Sequence, residues 1–171
     1  MTDPQPELTI ALAAALDAAS LPRLGPSLAI YPAPLGDCGG CTLEVQMLRS
    51  AAYGLEQHGL SVLDTPVGAD ILLVTGAVTR TLAGPLRRAL DAMAEPRWVV
   101  AIGDCAMDGG LFAASPAILG GAQAAIPVDL AVPGCPPSPA AILEALQTLL
   151  AVNAAPPAPR NAAPNAALNA E

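Results

Sequence analysis

Cys38, Cys41, Cys105 and Cys135 are the residues of this chain best suited to chemistry, and it has no other cysteine. Cys38 and Cys41 form a C-x2-C pair within Gly36-Asp37-Cys38-Gly39-Gly40-Cys41. Cys105 follows Gly103-Asp104, and Cys135 stands in Pro133-Gly134-Cys135-Pro136-Pro137. Each of these sites comes just after a run that reads as a β-strand. In a parallel α/β sheet the carboxyl ends of the strands converge on one edge, where ligands bind. Four thiolates there suit one shared centre.

Three chemistries compete for these thiols. Iron–sulfur clusters are commonly held by four cysteine thiolates, in spacings that vary with the family. Structural zinc also takes four, usually from two close pairs, and only one pair is close here. A thioredoxin-like dithiol would use Cys38 and Cys41 at a helix start, where a thiol pKa is lowered, and would leave Cys105 and Cys135 without a role. Ordinary buried cysteines are common, but they account poorly for four thiols at equivalent strand ends. In a reducing compartment the count favours metal or redox chemistry over disulfides.

The elements that must position the thiols follow from hydrophobic pattern. Strands are expected at Leu28–Tyr31, ended by Pro32 and Pro34, and at Leu60–Leu63, Asp70–Thr75, Trp98–Ile102 and Val128–Val132. Asp70–Thr75 is the continuous apolar type buried on both faces. Helices are expected from Cys41 to about Gln57, with Leu43, Met47 and Leu48 on its buried face, from Pro85 to about Ala94, and from Pro139 to about Ala151. Alternating strands and helices give βαβ units with right-handed crossovers. The expected fold is a three-layer, flavodoxin-like α/β domain over 27–151 with a mostly parallel sheet. An Ala/Leu-rich helical arm over 1–26 precedes it, and an Ala/Pro/Asn-rich tail over 152–171 reads as disordered. The Gly/Pro-rich stretch 108–127 is expected to lie over the cysteine edge.

Composition narrows the partners. All seven basic residues are arginine, and the net charge is −8. That balance argues against nucleic acid, which needs a basic face. Four aromatic residues, Tyr31, Tyr53, Trp98 and Phe112, are too few for a base-stacking platform. The hydrophobic fraction of 53% suits a buried sheet, yet no apolar run reaches the length of a membrane span. Residues 1–7 carry Asp3 and Glu7 and no basic residue, unlike a signal peptide. The expected location is cytoplasmic.

Other residues have plainer readings. Asp37, Asp104 and Asp108 flank the cysteine motifs, where loop turns recruit aspartate for local hydrogen bonds. His58, the single histidine, precedes Gly59 at a helix end and reads as a cap. Met47, Met93 and Met107 read as packing residues. Glu44 shares a helix face with Cys41 and, as an acid in the first turn, suits the helix dipole.

Four segments in order carry a resemblance. Cys38 to Glu44 resembles the C-x-G-C-x-x-E start of [NiFe]-hydrogenase small subunits, and Val74 to Thr79 resembles their V-T-G-x-V-T segment. Gly103 to Gly110 is similar to their G-x-C-A-x-x-G-G loop, and Gly134 to Pro139 to their G-C-P-P-x-P motif. The resemblance runs from about Leu28 to Leu150. The cluster-bearing 20 kDa subunit of respiratory complex I shares the set, but has adjacent cysteines at the first site. The C-x2-C spacing points to the hydrogenase side, and the short length to the membrane-bound, energy-converting and formate hydrogenlyase types. The resemblance implies an oxidoreductase subunit with one [4Fe–4S] cluster on Cys38, Cys41, Cys105 and Cys135, with the catalytic metals in a partner large subunit. It implies further contact with a ferredoxin-like iron–sulfur subunit and with membrane subunits at the cytoplasmic face. It gives Glu44 a role in proton passage near the subunit interface. A cluster subunit of a complex I-like oxidoreductase without hydrogenase activity stands as the alternative, and a C-x2-C thiol oxidoreductase behind it.

Overall fold

Five of the apolar runs assemble into one parallel sheet in the computed structural model, which describes residues 27–154. The strands are β1 (Leu28–Pro34), β2 (Leu60–Val62), β3 (Ile71–Thr75), β5 (Trp98–Ile102) and β7 (Leu130–Val132), in spatial order β2-β1-β3-β5-β7. Every pairing among them is parallel. This is the flavodoxin-like order, which reverses direction between β1 and β3. Two short segments, β4 (Val78–Thr79) and β6 (Ile118–Gly120), pair antiparallel as a separate ribbon. The helices are α1 (Gly40–Met47), α2 (Ala83–Asp91), α3 (Asp104–Asp108) and α4 (Pro139–Ala154).

Strand periodicity divides the interior in two. Ile71 and Leu73 point to one face, with Trp98, Val100, Leu130, α1 and α4. Leu72 and Val74 point to the other, with Val99, Ala101, Leu86, Leu90 and Met93. Both β3 and β5 are buried at every position, the condition for central strands covered on two sides.

β1 runs past its expected end at Tyr31, through Pro32, and ends at Pro34. Even-numbered amides of β1 face β2: Leu28 N donates to Gly59 O. Odd-numbered amides face β3: Ala29 N donates to Asp70 Oδ2 at 2.8 Å and Leu35 N to Thr75 O. Pro32 and Pro34 are even-numbered, and β2 pairs only with residues 28–30. Their missing N–H groups therefore fall where no strand needs them, as a proline within a sheet requires.

Two aspartates lock strand entry. Asp70 N donates to Ala29 O while its carboxylate takes the Ala29 N–H. Asp129 repeats the device on Val99, with N–H to Oδ2 at 2.7 Å. Both sit at the amino ends, away from the cysteines.

α1 departs from expectation in length and phase. It ends at Met47, and a 3₁₀ turn over Leu55–His58 follows between Gly54 and Gly59. Its buried stripe is Cys41, Val45 and Leu48, while Leu43 and Met47 are 62% and 50% exposed. Cys41 must face the sheet edge, and that fixes the helix phase at i, i+4 and i+7. Met107 is likewise exposed, so of the three methionines only Met93 fills the core. α2 begins two residues before Pro85 and ends at Asp91, and α4 runs on to Ala154. The arm over 1–26 and the tail beyond 154 lie outside the described residues.

Candidate metal centre at the carboxyl edge

The first two cysteines leave β1 at the reversal point of the sheet. Gly36 bridges to Ala77 by paired backbone bonds, tying this loop to the one after β3. Asp37 then organises the turn. Its Oδ1 accepts the Gly39 N–H at 3.1 Å, and its Oδ2 accepts Thr42 Oγ1–H at 2.6 Å and Thr75 Oγ1–H at 3.1 Å. Thr42 and Thr75 hydroxyls also touch at 3.0 Å. Sequence reasoning missed both threonines. Thr75 is the signal it passed over: a polar residue closing an apolar strand, 2% exposed.

The other two loops are tied to each other. Gly103 N donates to Val132 O, and Asp104 N to Gly134 O. The Asp104 carboxylate accepts the Gly134 N–H at 2.8 Å in return. The segments bearing Cys105 and Cys135 are thus tied directly to each other. Asp108 Oδ1 accepts the Gly110 N–H at 2.7 Å, closing the end of α3. Asp37 is a hydrogen-bonding loop residue, while Asp104 and Asp108 open and close α3, each accepting a backbone N–H. At Gly103 the backbone passes so close to the centre that an added Cβ would lie 2.5 Å from Cys41 Sγ and 3.1 Å from Gly134 O.

The four thiols are free of disulfides, Cys41 and Cys105 buried, Cys38 and Cys135 exposed. Burial pushes the Cys41 thiol up to about 11, with added repulsion from Cys105, Asp37, Cys38 and Cys135. Cys105 is raised by burial and then by Cys135, while a bond from the Leu111 backbone opposes the rise. The thiols lie near enough to raise one another's pKa, although three separate strand ends supply them. The helix start was expected to lower a thiol pKa, and at Cys41 burial reverses it. The dithiol reading leaves Cys105 and Cys135, which stand with the pair at the same sheet edge, without a role.

Among the described residues no three His, Cys, Asp or Glu side chains are gathered closely enough for a single metal ion. Tetrahedral zinc with Zn–S near 2.3 Å needs sulfurs roughly 3.8 Å apart. A polynuclear iron–sulfur centre takes one thiolate per iron and accepts a wider spread. An all-thiol donor set fits such a cluster.

Glu44 is half-buried on α1, beside the stripe that holds Cys41. His58 ends the 3₁₀ turn on the surface, with Gln147 Nε2 3.1 Å from its Nδ1. The stretch after Cys105 packs against α3: a Cβ at Gly121 would collide with the Met107 carbonyl. Arg80 Nε donates to Pro116 O and Arg87 Nε to Ala125 O, stapling that stretch to the α2 side. It nonetheless exposes Leu111 at 86%, with Phe112 and Leu119 also exposed.

Known proteins are similar to this chain in sequence and fold. The family profile of the NADH ubiquinone oxidoreductase 20 kDa subunit matches residues 38–149, spanning all four cysteines. Formate hydrogenlyase subunit 7 of Escherichia coli K12 is 38% identical over 130 residues, covering 76% of this chain and 51% of that protein. The chain therefore spans about half the length of that relative. Among solved structures, a chain of the membrane-bound sulfane sulfur reductase, an archaeal respiratory membrane complex, superposes with TM-score 0.65 and 26% identity, covering 87% of this chain and 76% of that one. A chain of an NAD+-reducing [NiFe]-hydrogenase superposes with TM-score 0.59 at 23% identity, covering 73% and 92%, and shares the fold.

Proposed function

This chain belongs to the NADH ubiquinone oxidoreductase 20 kDa subunit family, and from that premise we propose that it is the electron-transfer small subunit of a [NiFe]-hydrogenase-type complex. It is an oxidoreductase subunit. Cys38, Cys41, Cys105 and Cys135 are the residues that would hold one [4Fe–4S] cluster. When bound, that group supplies one-electron transfer to or from a nickel–iron site in a partner large subunit. The observation that carries this reading is the convergence of four disulfide-free thiols from three strand-end loops.

The chain's own residues do the rest. Buried Cys41 and Cys105 form the floor, and exposed Cys38 and Cys135 the rim. Asp104 keeps the second and third loops in register through Gly134. Glu44, half-buried on the Cys41 helix, is assigned proton passage toward the partner. The exposed apolar residues Leu111, Phe112 and Leu119 supply the contact with the large subunit, since obligate interfaces are apolar. A ferredoxin-like iron–sulfur subunit exchanges electrons with the chain. No helix among the described residues is long and apolar enough to cross a membrane. Attachment at the cytoplasmic face then runs through membrane subunits.

The test is anaerobic purification with metal and sulfide analysis. About four irons and four acid-labile sulfides per chain are expected, lost on Cys105→Ala. Stoichiometric zinc in place of iron overturns the reading. A second reading, a complex I-like assembly without hydrogenase activity, draws on the similarity to the sulfane sulfur reductase complex. Nickel in the assembled complex, with hydrogen oxidation or evolution, decides for the first; iron without nickel decides for the second.

A further inference from the structure

We propose that Asp37 is the positioning residue of the first cysteine loop: held by Thr42 and Thr75, its carboxylate sets where Cys41 stands and keeps a fixed negative charge beside the centre. The inference rests on the cluster reading above. Asp104 and Asp108 bond only within or between the cysteine loops. Asp37 alone reaches the body of the sheet, through Thr75 at the end of β3.

Hydrogen counting supports the arrangement. Each threonine hydroxyl has one hydrogen to give. Three oxygen–oxygen contacts, of 2.6, 3.1 and 3.0 Å, join Asp37 Oδ2, Thr42 Oγ1 and Thr75 Oγ1 in a triangle. The 2.6 Å contact has the length of an O–H···O⁻ bond, so Thr42 donates to Asp37. Thr75 has one hydrogen left for the pair, given to either oxygen. Both hydrogens thus end on one small, part-buried acceptor cluster, and the Gly39 N–H takes the other carboxylate oxygen.

The packing leaves little slack. A Cβ on Gly76 would fall 2.5 Å from Asp37 Cβ, so the carboxylate stem lies directly on the backbone after β3. The Gly36–Ala77 bridge holds the same crossing from the other side. Cys41 lies one residue before Thr42, whose hydroxyl is bonded to Asp37 at 2.6 Å. Partners of this kind orient metal ligands and tune the metal. A negative charge nearby opposes added electrons, so it lowers a reduction potential.

The experiment compares wild type, Asp37→Asn and Thr75→Val in the full chain, anaerobically reconstituted with iron and sulfide. Asp37→Asn keeps the shape and an acceptor but removes the charge. It should retain iron and shift the midpoint potential upward. Thr75→Val keeps the charge and cuts the tie to β3. Its potential should stay near wild type, while a chelator strips its iron about 10-fold faster. On the iron-free chain, Thr75→Val should also speed amide exchange over residues 39–43. An unchanged potential in Asp37→Asn, or wild-type iron retention in Thr75→Val, overturns the proposal. If the wild type takes up no iron, the cluster reading falls instead. Exchange over 39–43 then decides the positioning role by itself: faster exchange upholds it, and unchanged exchange ends it.

Discussion

Replacing Gly103 by alanine tests how tightly the centre is built. Gly103 has φ 85° and ψ 160°, a region that is essentially glycine-only. Forcing another residue there costs about 1–3 kcal/mol. The new methyl would also stand 2.5 Å from Cys41 Sγ and 3.1 Å from Gly134 O, so the loops of β1 and β7 must both yield. Overpacking of this kind costs about 1–3 kcal/mol more. The sum, about 2–6 kcal/mol, is a large part of the roughly 5–15 kcal/mol that holds a domain together. Gly39→Ala is the control: φ is 89°, but no atom lies within 4 Å of the added Cβ. It should lose only about 1–2 kcal/mol of backbone strain. Urea unfolding of the reduced, iron-free chain measures both. Trp98, the single tryptophan and 1% exposed, reports the transition by fluorescence. Iron content after reconstitution gives a second reading, and only Gly103→Ala should lower it. If Gly103→Ala costs no more than Gly39→Ala and takes up a full complement of iron, the crowding argument is wrong.

Burial raises the Asp129 carboxyl above its ordinary value, with the Val99 N–H bond opposing and Glu95 adding. The folded state then holds that proton more tightly, so this group's contribution to stability is present below the ordinary carboxyl range and fades as pH rises through the raised value. Asp129→Asn should therefore gain on wild type across that rise, in denaturation curves taken from pH 4 to 7. Asp129→Ala, which also orphans the Val99 N–H, should lose about 1–3 kcal/mol at all pH values. Leu111→Ser, at an 86% exposed position, should leave the chain's own stability within about 0.5 kcal/mol and weaken co-purification with a large subunit. Co-expression with that subunit should raise soluble yield and protect iron from air, because exposed apolar patches promote aggregation. A monodisperse, air-stable chain that turns over hydrogen unaided would refute it.

The strands were the most legible part of the chain. Trp98–Ile102 and Ile71–Thr75 announce themselves because central parallel strands are apolar at every position. The placement of four thiols after strand ends was equally readable. What escaped depends on neighbours that a linear pattern does not contain. Pro32 and Pro34 read as terminators until the early end of β2 is known. Leu43 and Met47 look like a core stripe, but Cys41 sets the helix phase and turns them outward. The β4–β6 ribbon pairs two and three residues from distant segments, too short for any periodicity. Thr75 owes its meaning to an aspartate 38 positions earlier.

The two aspartate locks at strand entry have an engineering consequence. Asp70 fixes which residues of β1 and β3 stand opposite each other, and Asp129 does so for β5 and β7, all from the end remote from the cysteines. Strand pairing is thereby specified at its amino end as well as by the bonds that continue it toward the thiols. A change of length in one of the loops that carry the thiols should therefore cost ligand placement first, because the ties through Asp37, Gly103 and Asp104 are broken, while the sheet beneath keeps its alignment.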